Sequence, residues 1–210
     1  MQKFFKVAIA AVALMIAQTV KADMGGQVFY QYGQSSLDQG RDGQVFTDTA
    51  ASNGRNDSKS GWNIGAGLDL PLLKAVGPGD IMGEIMVDYA HHSKKAVVQT
   101  TSALLGAAKV KEVNVSSLNV LIAPKYRLAG FFDGKLIPWV IPVGLSFLVN
   151  SPPSDNTTYL DVGYHVAAGV EYKFIDALSA GLSYRKTLAS KDNDIDSSYS
   201  TVDLYVGVNF

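Results

Sequence analysis

The stretch Leu160-Asp161-Val162-Gly163-Tyr164-His165-Val166-Ala167-Ala168-Gly169-Val170-Glu171-Tyr172-Lys173-Phe174 constrains this chain most. Every even-numbered residue in it is apolar or aromatic, and every odd-numbered one is polar, charged or small. Side chains on a strand point to opposite faces with period two, so the segment has one greasy face and one wet face. Strands in soluble sandwiches are usually about 5 to 6 residues long. Alternating segments of about 10 or more residues are what a tilted strand needs to cross the hydrocarbon layer of a membrane, with its apolar face toward lipid. The pattern predicts a greasy outside and a polar inside.

Eight segments read this way. Gln27 to Gly33 places Val28, Tyr30 and Tyr32 outward; Trp62 to Leu70 places Trp62, Ile64, Ala66, Leu68 and Leu70 outward. Ile81 to Ser93 presents Ile85, Val87 and Tyr89, and Val113 to Arg127 presents Leu118, Val120, Ile122 and Tyr126. In Ile137 to Val149, the residues Ile137, Trp139, Ile141, Val143, Leu145 and Phe147 share the expected lipid face. The sixth segment is the one quoted above. Leu178 to Thr187 presents Ala180, Leu182 and Tyr184, and Tyr199 to Phe210 presents Val202, Leu204, Val206, Val208 and Phe210. Pro138 and Pro142 fall on the inward parity of the fifth segment; proline cannot donate to a ladder, so a bulge or bend is expected there.

The connections alternate in length as a membrane barrel requires, with long loops on one side and short turns on the other. Gln34 to Gly61 and Lys94 to Glu112 are long. Pro71 to Asp80, Leu128 to Leu136 (turning at Asp133-Gly134) and Ile175 to Ala177 are short, while Asn150 to Thr158 is moderate and Leu188 to Ser198 forms the last outside loop. Tyr32, Trp62, Tyr126, Trp139, Tyr172 and Tyr184 stand near strand ends, where an amphipathic ring can sit at headgroup level. The expected fold is all-β: an eight-stranded antiparallel up-and-down transmembrane β-barrel.

At the N-terminus, Lys3 and Lys6 precede an apolar run from Val7 to Ala17, and Val20-Lys21-Ala22 follows with small or apolar residues at cleavage-type positions. That is a signal-peptide pattern, too short for a membrane-crossing helix. Residues 1–22 are read as signal peptide and 23–210 as one barrel domain. Cysteine is absent, which excludes a disulfide framework, a thiolate metal site and a lipoprotein anchor. A net charge of −1 offers no field for nucleic acid, and no nucleic-acid partner is expected.

The last ten residues, Thr201-Val202-Asp203-Leu204-Tyr205-Val206-Gly207-Val208-Asn209-Phe210, resemble the closing strand of bacterial outer-membrane proteins. Phe210, with Val208, Val206 and Leu204 at alternate positions before it, matches the pattern that resembles the signal read by the barrel-assembly machinery. Over the whole mature chain the architecture is similar to the small barrels typified by the OmpA transmembrane domain and OmpX. This resemblance implies the cell outer membrane as location. It also implies outer-membrane lipid and lipopolysaccharide as surroundings and the assembly machinery as a partner during biogenesis. The chain ends with the barrel, so a wall-tethering domain of the kind that follows the OmpA barrel is not expected.

Candidate chemistry lies on the inward parity, where Asp69, Glu84, Asp88, Lys125, Arg127, Asp161, Glu171, Lys173, Arg185 and Asp203 form the expected interior polar network. Buried in isolation, each such charge costs several kcal/mol, so pairing is required. Simple hairpin counting brings Glu84 near Lys125, and Arg185 near Asp203. Charged interiors also mark ion pathways, which keeps a gated path as an alternative. Because an eight-stranded lumen is filled by side chains, general porin activity is disfavoured.

Adjacent residues on a strand face opposite ways, so His91 and His92 cannot chelate one ion together; His92 and His165 share the inward parity, without an evident third ligand. No metal or cofactor site is expected. The outward His91 and Ser93 resemble the His-x-Ser of outer-membrane lipid A 3-O-deacylases, yet Lys94 stands where that family has asparagine and no outward acid lies nearby. Asn156-Thr157-Thr158 and Gly65-Ala66-Gly67 carry no functional weight. The expected function is therefore a non-enzymatic scaffold whose loops 34–61 and 94–112 meet an extracellular ligand or serve envelope integrity. A narrow channel for small or hydrophobic solutes is the alternative, and lipid A modification a third.

Overall fold

The computed structural model describes residues 25–38, 60–98, 110–151, 160–189 and 198–210, with side chains left undescribed at 93–98, 110–115 and 151. The expected signal peptide, 1–22, lies outside them. Eight strands follow in chain order: β1 (Gln27–Leu37), β2 (Ser60–Val76), β3 (Gly79–Val98), β4 (Val110–Leu128), β5 (Leu136–Ser151), β6 (Leu160–Ile175), β7 (Leu178–Ala189) and β8 (Tyr199–Asn209). Each pairs antiparallel with its sequence neighbours, and β1 pairs with β8 from Gln27↔Asn209 to Leu37↔Tyr199, closing the barrel.

The strands are longer than the hydrophobic alternation alone marks, because the pairing continues into polar sequence. β3 and β4 pair from Gly79↔Leu128 to Val98↔Val110, so both ends of the expected loop 94–112 belong to a hairpin; only 99–109 of that loop lies outside the described residues. Of the loop 34–61, residues 39–59 lie outside them. The short connections gather at the end where the barrel also begins and finishes. Gly77 (φ 60°) turns β2 into β3, and Phe132, Asp133 and Gly134, all at positive φ, turn β4 into β5. A positive φ suits glycine and is tolerated by aspartate, which explains the Asp133-Gly134 signal.

Side chains of the two parities are separated sharply. Ile64, Val87, Leu118, Tyr164, Leu182 and Leu204 stand exposed on the outer wall, while Gln31, Asn63, Asp88, Asn119 and Asp203 are buried inside. Soluble monomers rarely expose contiguous apolar patches larger than a few hundred Å². A greasy belt around a closed barrel with a polar interior is the transmembrane arrangement.

β5 departs from the expected facing. Ile137, Trp139 and Ile141 are buried in the lumen, with Trp139 only 2% exposed, whereas Val143, Leu145 and Phe147 do face outward. The cause is one extra residue. Ile122 of β4 pairs with Leu145 and Tyr126 with Val140, while Ile141 pairs with Ala167 of β6 and Gly144 with His165. Both registers thus place a bulge at Pro142-Val143, and one inserted residue reverses every facing on its far side. The bulge was expected. Its effect on parity was not, and Pro138 and Pro142 consequently lie on the outward side. Trp139 leaves the expected aromatic girdle, while Tyr32, Trp62, Tyr172 and Tyr184 remain exposed on the outer wall.

Phe210 also differs. It lies just past β8, exchanges both backbone hydrogen bonds with Gly26 (2.9 Å each) and is only 9% exposed. Its ring occupies the space a Cβ on Gly26 would need, so it is covered at the barrel's lower rim rather than presented to lipid. Leu204, Val206 and Val208 stand outward as expected.

Candidate functional site

The lumen is the site that the fold builds, and it is filled. Lys125 Nζ donates to Asp69 Oδ2 (2.7 Å) and Glu84 Oε2 (3.1 Å). From the opposite wall, Arg185 donates through Nη1 to Glu84 Oε1 (2.5 Å) and through Nη2 to Oε2 (3.2 Å). Three strands, β2, β3 and β4, supply one side of this network and β7 the other. Its members are at most 3% exposed, so each charge depends on the others for the stabilisation that water would supply outside.

Aromatic rings pack around the two cations. Lys125 Nζ lies 4.2 Å from the Trp139 ring centre and 5.1 Å from that of Phe29; the Arg185 guanidinium lies 5.2 and 5.6 Å from the same two rings. Cations over aromatic faces gain electrostatic attraction that grows when water is excluded. Trp139 Nε1 donates to the Tyr205 hydroxyl (2.8 Å), which in turn donates to Glu171 Oε2 (3.4 Å). Close approach is permitted by glycines on neighbouring strands. Phe29 lies across Gly67, Trp139 across Gly169 and Tyr205 across Gly181, each ring within 2.6 Å of where a Cβ would stand.

Toward the short-turn end, Gln27 Nε2 donates to Glu171, Ser179 and Asn209 (2.9 Å each), and Arg127 Nη2 donates to Glu171 Oε1 (3.2 Å). Arg127 and half-buried Lys173 line two small cavities of about 340 and 320 Å³ at this mouth. Toward the long-loop end, the carboxylates are held by neutral donors. Asp88 accepts from Asn63 (3.2 Å) and Tyr199 (3.1 Å), Asp203 from Asn63 and Thr201 (2.6 Å each), and Asp161 from Asn150 (2.5 Å).

The residues predicted from parity are therefore all on or at the mouth of the lumen, but their partners differ in part. Lys125 meets Glu84 as expected. Arg185 does not pair with Asp203: the β7–β8 register sets Arg185 opposite Thr201 and Ser183 opposite Asp203, and the long guanidinium crosses the lumen to Glu84. His92 contacts Ser35 (3.3 Å) and stands edge-on to Tyr199, while His165 approaches Thr187 (3.4 Å) and Arg185 (3.5 Å). Outward His91 packs beside Trp62 and Tyr89, with ring centres 5.5 and 6.4 Å away. A register shift between His92 and Lys95 interrupts the alternation on which the His-x-Ser pattern relies.

Counting charges alone missed Gln27, Phe29, Asn63, Asn119, Tyr199 and Tyr205. All except Trp139 among the lumen aromatics could have been found by extending the same parity to uncharged residues; the bulge hid Trp139.

A search of curated proteins finds no match. Among solved structures, Neisserial surface protein A is 13% identical with a TM-score of 0.53, the alignment covering 90% of this chain and 98% of that one. The outer membrane enzyme PagL is 13% identical with a TM-score of 0.50, covering 88% and 99%. Ail, the attachment invasion locus protein of Yersinia pestis, is 12% identical with a TM-score of 0.46, covering 89% and 99%. These likenesses concern the fold. The profile of the family described as outer membrane protein beta-barrel domain matches residues 7–210. With that match, the closed barrel and its greasy belt, the chain belongs to the outer-membrane β-barrel family and resides in the cell outer membrane.

Proposed function

We propose that this protein is a non-enzymatic, non-conducting scaffold of the outer membrane, whose extracellular segments carry its contacts with other molecules or with the envelope. One observation carries the reading: the lumen is occupied by the Asp69–Lys125–Glu84–Arg185 network and the Phe29, Trp139 and Tyr205 rings. A side-chain-filled eight-stranded barrel is a rigid frame rather than a pore, and function in such frames concentrates in the loops they hold. The β3–β4 hairpin supports the same reading, since it continues to Val98 beyond His92, where the pairing of β2 with β3 ends at Gly61. Lipopolysaccharide around the outer belt and the assembly machinery during biogenesis are the partners such a scaffold requires.

Conductance in planar bilayers tests the proposal directly. Purified barrel should give no single-channel steps; reproducible steps would refute the closed-scaffold reading. Mass spectrometry of lipid A with and without the protein should show the same species, and loss of an acyl chain would establish an enzyme instead.

A further inference from the structure

The seam between β4 and β5 is faulted within the membrane. Below the Ile122↔Leu145 pair the ladder stops, and it resumes at Tyr126↔Val140. Pro124 lies on one side of this interruption and Pro142 on the other. Unpaired backbone donors are expensive in hydrocarbon, and proline has none to leave unpaired. Two prolines at the open stretch remove two N–H groups that would otherwise need partners, so the sequence is fitted to an open seam.

A groove of about 550 Å³ lies over the fault on the outer wall, within the range of about 300 to 1,000 Å³ common for ligand pockets. Gly83, which pairs with Pro124, contributes no side chain to its floor, and Leu72, Ile122, Val143 and Tyr164 form its walls. Glu84, Ala123 and Gly144, which are buried on the lumen side of the wall, also line it. The groove therefore cuts into the wall instead of lying on it. Gly83 is four residues from the Gly79↔Leu128 pair at the short-turn end, about 13 Å along the strand, and twice as far from His91, which packs on Trp62 near the other end. Short turns face the periplasm, so the groove opens into the inner half of the bilayer.

We propose that this groove is a seat for one acyl chain of a periplasmic-leaflet phospholipid. Its surroundings are hydrocarbon, its walls are almost wholly apolar, and its depth distinguishes it from the smooth belt elsewhere. A chain lying in it fills the void over the interrupted ladder and shields the backbone there. The Lys125–Glu84 pair lies directly behind, so an occupied seat also keeps lipid-phase water defects away from buried charge.

The test uses the full barrel reconstituted with phosphatidylethanolamine carrying a diazirine on one acyl chain, followed by irradiation and peptide mapping. Labelling should be several-fold richer on Leu72, Val143 and Tyr164 than on Leu182 and Val206 of the far wall. Gly83→Leu, which fills the floor from β3, and Val143→Phe, which fills it from β5, should each remove the excess in heat-modifiable, folded barrel. Even labelling around the belt would reduce the groove to ordinary annular contact and overturn the proposal. Excess labelling that survives both substitutions would do the same. An excess seen only with diazirine-bearing lipid A would reassign the occupant to the outer leaflet.

Discussion

Replacing Lys125 by Met probes the centre of the lumen. Methionine keeps the length of the lysine stem against Trp139 and Phe29 but removes the charge that Asp69 accepts at 2.7 Å and Glu84 at 3.1 Å. Glu84 retains Arg185. Asp69, at 0% exposure, loses the cation to which it is bonded. Breaking a buried pair by removing one partner costs about 3 to 5 kcal/mol, because an uncompensated charge stays behind. The lost cation–π attraction adds about 2 kcal/mol, most of which the methionine contacts restore. A total near 4 kcal/mol is a large share of a typical stability of about 5 to 15 kcal/mol. Urea titration of vesicle-inserted barrel, followed by tryptophan fluorescence, measures it. The diagnostic step is the double variant Lys125→Met/Asp69→Asn: removing the stranded charge should recover about 2 kcal/mol, within the range of couplings between contacting groups. If the single variant loses less than about 1 kcal/mol, or the second substitution adds its own loss, the lumen is not held by this network.

The remaining predictions concern the two places where facing departs from simple alternation. Deleting Pro142 removes the extra residue of β5 and should turn Trp139 toward lipid. In a Trp62→Phe background its fluorescence should then be quenched more strongly by brominated phospholipid, and unchanged quenching would show that the bulge does not control parity. Phe210→Ser removes a ring packed over Gly26 and about 1.5 to 3 kcal/mol of burial, together with the terminal residue of the assembly-type pattern. Outer-membrane fractions should contain less heat-modifiable barrel, and equal amounts from variant and parent would refute this.

Period-two alternation was enough to establish eight strands, the up-and-down barrel, the lipid-facing belt and the inward placement of charges such as Glu84, Asp88 and Asp203. Those properties follow from a rule acting within each strand: neighbouring side chains point opposite ways, and only one face can meet hydrocarbon. Partner choice is not local. Glu84 and Lys125 face each other across one hairpin and could be paired by counting, but Arg185 reaches Glu84 across the lumen, a distance that depends on closure of all eight strands. Even parity stopped being local at Pro142-Val143. The extra residue there is compatible with the same alternating text read on either face; only the registers that β4 and β6 impose on β5 show which side carries Trp139 inward. The amino-acid sequence alone thus determined which residues belong to a barrel wall, because strand geometry repeats every two residues. Tertiary structure decided which of them meet, because the lumen is narrow and its contacts join residues from opposite walls.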